Sequence, residues 1–125
     1  MVGTTPRPIP LRPAWLQGGN EYTIYVECQS DLVVLYPSGR KFPVDKLSHT
    51  PQHNPLVQAI RMQMARREAA VKSGGQPPRC NIRFLVHRDG EETYHMTYPR
   101  LDPLPATKTR QNLQPEDDVS LIVAR

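Results

Sequence analysis

Asn54-Pro55-Leu56-Val57-Gln58-Ala59-Ile60-Arg61 opens the stretch whose reading decides the fold, and that stretch runs on to Ser73. It is the one long segment with a helical period. Asn54 is a good N-cap, because its side-chain oxygen accepts from free N–H groups of the first turn. Pro55 suits the first helical position, where a missing N–H costs nothing. Ser73-Gly74-Gly75 ends the run with residues that accept left-handed backbone angles. At about 100° per residue, Leu56, Val57, Ile60, Met64 and Val71 fall in one arc, with Ala59 and Ala70 at its margin. Gln63 and Arg67 sit inside the arc and must lie near its edge or lay their stems along it. Arg61, Arg66 and Lys72 lie outside it. One face is therefore built to pack on a sheet.

Working outward, strand-like runs lie on both sides of this helix. Tyr22, Ile24, Val26 and Cys28 alternate with Thr23, Tyr25 and Glu27 and predict a strand over 22–28. Leu32 to Tyr36 is almost wholly apolar and predicts a strand covered on both faces or central in the sheet. Pro37-Ser38-Gly39 is a turn by its chemistry. Arg40 to Val44 returns as a short strand that Pro43 confines to an edge. Beyond the helix, Asn81 to His87 is the strongest strand of the second half. Arg88-Asp89-Gly90-Glu91 then reads as a hairpin turn. Thr93 to Tyr98 reads as its returning strand, with a short helix as the competing reading. Pro99, Pro103 and Pro105 begin an irregular loop over 99–118, and Val119 to Ala124 predicts a closing strand. The order is ββ(β)αββ and a final strand. The expected fold is an α+β two-layer sandwich, one long helix on a mostly antiparallel sheet.

The chain has 125 residues, of which 38% are hydrophobic and 14 are proline, with a net charge of +4. That length fits one domain able to bury a core without staples. The expected division is a proline-rich N-terminal arm over 1–19 and a single domain over 20–125. Trp15 stands out in the arm, either pinning it to the fold or serving as a partner-binding anchor. No apolar run approaches the ~20 residues of a membrane span. Met1–Pro13 has no hydrophobic middle, so it does not read as a signal peptide, and the expected compartment is the cytoplasm.

Two stretches carry a family resemblance. They are Ile24-Tyr25-Val26-Glu27-Cys28 and Asp31-Leu32-Val33-Val34-Leu35-Tyr36-Pro37-Ser38-Gly39. With Asn54-Pro55-Leu56-Val57 opening a helix, and Asp89-Gly90 then Thr93-Tyr94 after a strand, they are similar to a pattern in an uncharacterised family of planctomycete-type bacteria. The resemblance covers Tyr22 to Tyr98 and implies no activity. More remotely, strand–strand–helix–strand followed by Asp89 resembles the periplasmic domain of ExbD/TolR-type transport proteins in topology alone. The chain departs from that pattern, with no N-terminal membrane helix and prolines in the place of the second long helix.

The candidate chemistry is sparse. His87 and His95 flank the expected hairpin turn, where cross-strand neighbours come within ligand reach. Even so, Cys28, Cys80, His49, His53, His87 and His95 lack the tight paired spacing of zinc sites, so neither a metal nor another cofactor is expected. Asp89, Glu91, Glu92 and His95 crowd one turn, where acids and a histidine could do acid–base work if desolvated. Nucleophile and phosphate-loop motifs are absent, so the reading leans away from an enzyme. Arg61, Arg66 and Lys72 on the outer helix face form the candidate nucleic-acid contact, without a recognised motif. Proline-rich arms, edge strands and little chemistry point first to a module that binds a protein partner or a second copy.

Overall fold

The computed structural model describes residues 21–47, 53–71, 75 and 77–124. The elements are β1 (Glu21–Cys28), β2 (Leu32–Tyr36), β3 (Arg40–Pro43), a 3-10 turn (Val44–Lys46), α1 (Pro55–Ala69), β4 (Arg79–Val86), α2 (Glu91–Leu101), β5 (Thr107–Asn112) and α3 (Val119–Val123). The fold is α+β, with five strands in the order β3-β2-β1-β4-β5. The expected antiparallel meander forms β3-β2-β1, and Gly39 closes its turn at φ +79°. The other half is parallel, β1 to β4 and β4 to β5, so the sheet is mixed and not mostly antiparallel.

The parallel half follows from the helices. Each parallel pair needs a crossover, and crossovers are right-handed. Two such steps in one direction across the sheet leave α1 and α2 on the same face. The core agrees. Ile24, Val26, Val33, Leu35, Ile82 and Phe84 form one cluster with Leu56, Val57 and Ile60 of α1 and with Leu101 of α2. Asn54 caps α1 as expected. Its side chain accepts from the backbone N–H of Leu56 at 2.9 Å and of Val57 at 3.3 Å, and donates to the Leu47 carbonyl at 3.1 Å. The helix stops at Ala69, short of Ser73.

Three expectations fail after β4. Residues 93–98 are helix, not strand. Tyr94, Met96 and Tyr98 alternate, but Thr93, Thr97 and Leu101 are the buried set, and their spacing of four is helical. Tyr94 and Tyr98 meet the Phe84 ring at 5.2 and 5.7 Å between centroids. Pro99 falls near the C-terminal end of this helix and does not prevent it. Asp89-Gly90 accordingly makes no hairpin. It turns the chain into α2, and a Cβ on Gly90 would stand 2.1 Å from the Cys28 carbonyl oxygen. Second, residues 107–112 are the parallel edge strand β5 inside the expected loop. Third, 119–123 is a short helix capped by Asp118, which accepts from the Ser120 N–H at 3.0 Å.

Candidate functional site

The most unusual side chain on the second sheet face is Glu27, a carboxylate only 5% exposed. Its burial follows from register. Its Cα partners are Val34 on β2 and Leu85 on β4, both buried aliphatic residues. A buried charge needs partners, and three converge on it. The Tyr36 hydroxyl donates to Oε1 at 2.8 Å, the Gln29 amide donates to Oε2 at 3.2 Å, and His87 Nε2 lies 2.6 Å from Oε2. Burial, then the hydrogen bond to Glu27 and its charge, push the Tyr36 hydroxyl up to about 12.

A carboxylate only accepts, so Nε2 of His87 is the donor in this bond. His87 follows β4 at the carboxyl ends of the parallel strands, where open sheets containing parallel strands place ligands. It lines a cavity of about 330 Å³ with Arg88, Asp89, Leu113, Gln114 and Pro115. The arrangement presents an oriented imidazole to a small recess. Among the described residues the hydrogen bond of the His87 side chain is to Glu27.

The acids grouped by sequence separate. Glu91 bonds Arg110 at 2.6 Å and His95 at 3.1 Å on the outside of α2, and Arg110 holds the Glu91 carboxyl below its usual range. Asp89 lines the first His87 recess, and Glu91 with Arg110 lines another of about 320 Å³ that also includes His87. His87 and His95 do not face each other across a hairpin. Cys80 pairs with Tyr22 and Cys28 with Val86, six positions apart along the ladder, about 20 Å at strand rise. Burial pushes Cys28 up to about 12 and raises Cys80 too, so neither thiol is primed as a thiolate. His53 stands exposed ahead of α1. Among the described residues no group of three or more His, Cys, Asp or Glu is placed to hold a metal ion.

Arg61 and Arg66 are both exposed on α1, but they line different cavities. Arg61 lies beside Leu104 and Pro105, and Arg66 beside Tyr22 and Pro37. Trp15, Lys72 and His49 lie outside the described residues. Glu27 and Tyr36 were missed by sequence reasoning. The only signal was an acid next to the end of an otherwise β-favouring, aromatic-rich strand. No helix among the described residues is long and apolar enough to cross a membrane. Compared with known protein families, characterised proteins and solved structures, the chain matches none.

Proposed function

We propose that this domain is a protein-binding module that takes an extended segment of a partner protein as an added strand on the β5 edge. The observation that carries the reading is the inequality of the two sheet edges. β3 is four residues long, ends in Pro43 and presents Arg40 and Lys41, the usual guards against strand addition. β5 is six residues long with no proline. Its two cations are drawn back toward the helical face. Lys108 donates to the backbone carbonyls of Asp102 and Leu104. The Arg110 guanidinium lies 4.5 Å over the Tyr94 ring and pairs with Glu91. Thr107, Thr109 and Gln111 are left on the other face, uncharged, in the register of Asn81, Arg83 and Leu85. Thr107 and Thr109 are exposed. Such an edge offers a row of backbone groups for pairing and threonines for cross-strand contact.

The runner-up, a nucleic-acid surface through Arg61 and Arg66, has weaker support, because those residues sit on opposite flanks of α1. The test is selection of extended peptides from a display library, followed by competition with Thr107→Glu/Thr109→Glu. Both positions are exposed, so the fold tolerates the change within about 0.5 kcal/mol. Peptides that lose binding to the double variant support the reading. Peptides that bind both proteins equally refute it.

A further inference from the structure

A second recess, independent of β5, lies where the start of β1, the Pro37-Ser38 turn and the last turns of α1 meet. It has a volume of about 310 Å³, and its wall includes Ile24, Pro37, Gln63, Arg66 and Arg67. Three observations set it apart from an ordinary basic helix surface. The Arg67 guanidinium is held 4.7 Å over the Tyr22 ring, which fixes the cation at the recess. Arg66 precedes it in sequence, and among the described residues no acidic side chain lines the recess. Tyr22 and Ile24 are buried beneath, giving the cationic rim an apolar floor. Guanidinium forks match carboxylate and phosphate oxygens in pairs, and their planes stack on other flat π systems. The volume lies at the lower end of small-ligand sites, which begin near 300 Å³.

We propose that this recess binds a small planar organic anion the size of a nucleoside monophosphate. Its phosphate is taken by Arg66 and Arg67, and its ring stacks on the side of the Arg67 guanidinium away from Tyr22. The inference goes beyond the strand-pairing reading. β5 is two strands away from β1, so failure of either leaves the other standing.

The test is a residue-resolved NMR titration of the full chain with AMP, with inorganic phosphate and with adenosine. The expected result is saturable AMP binding that shifts the Thr23, Ser38 and Gln63 amides. Phosphate and adenosine alone should each bind at least about ten-fold more weakly, because each makes half of the contact. Arg66→Gln/Arg67→Gln should lose AMP by about the same factor with an unchanged circular dichroism spectrum, and Arg61→Gln should bind as the wild type does. Inorganic phosphate binding as tightly as AMP would reduce the recess to a cationic patch and overturn the proposal. So would equal loss in Arg61→Gln, or shifts confined to other residues. A short oligoadenylate far tighter than AMP would overturn the assignment to a free nucleotide.

Discussion

Replacing Glu27 by alanine removes one buried carboxylate and strands the three groups that bond to it. A hydrogen bond to a charged group contributes about 1.5–3 kcal/mol, which would exceed 4 kcal/mol for three if they were additive. Two effects reduce that sum. The carboxylate was itself costly to bury, and its removal returns part of that cost. His87 is 34% exposed, so water reaches it once Glu27 is gone. The expected destabilisation is therefore about 2–3 kcal/mol. Glu27→Gln keeps an acceptor for the Tyr36 hydroxyl but sets an amide against His87, and should cost about 1 kcal/mol. Urea denaturation of the single variants, of Tyr36→Phe and of the double variant gives the coupling directly. A coupling above about 0.5 kcal/mol is expected for residues sharing a network. If Glu27→Ala cost less than that, and Tyr36→Phe had the same effect in both backgrounds, the cluster would not hold the face together and the reasoning would fail.

Other outcomes follow from the same structure. Tyr36 has its hydroxyl raised from 10.0 to about 12 in the folded chain, so its contribution is complete below pH 10 and is lost as pH rises toward 12. Stability measured by urea between pH 9 and 12 should fall less steeply in Tyr36→Phe than in the wild type. Asn54→Ala removes the cap of α1 and leaves the Leu47 carbonyl without its side-chain donor, which should cost about 2 kcal/mol in thermal or urea unfolding. Gly90→Ala drives a methyl group against the Cys28 carbonyl. It should destabilise by at least about 1–3 kcal/mol, while alanine at the open Gly39 site should be strained only by its positive φ.

The first half of the fold was legible because its residues state their neighbours. The Tyr22–Cys28 alternation, the apolar run Leu32–Tyr36, the edge proline Pro43 and the Asn54-Pro55 cap all have local causes, and the elements lie where those causes put them. The second half was not, for two reasons. β5 contains no apolar residue, so no hydrophobic period marks it, and its strand state comes from backbone pairing with β4. In α2, Tyr94 and Tyr98 satisfy a period of two and a spacing of four equally well, and only the burial of Thr93, Thr97 and Leu101 separates the readings. Misassigning both segments hid the parallel half of the sheet. The Glu27 cluster was hidden for a related reason. In sequence Glu27 is the polar member of an alternating strand, and its burial depends on Val34 and Leu85 arriving beside it from two other strands.

The proposed function requires β5 to accept a partner strand along its edge. Amide hydrogen exchange, resolved by residue over Thr107–Asn112, tests this most directly, with the domain free and saturated with a selected peptide. Added strand pairing predicts that alternate amides in 107–112 slow by at least about ten-fold in the complex, while those of Arg40–Pro43 stay unchanged. Protection that appears around Tyr22 and Arg67 or along β3, with 107–112 exchanging at its free rate, would contradict it.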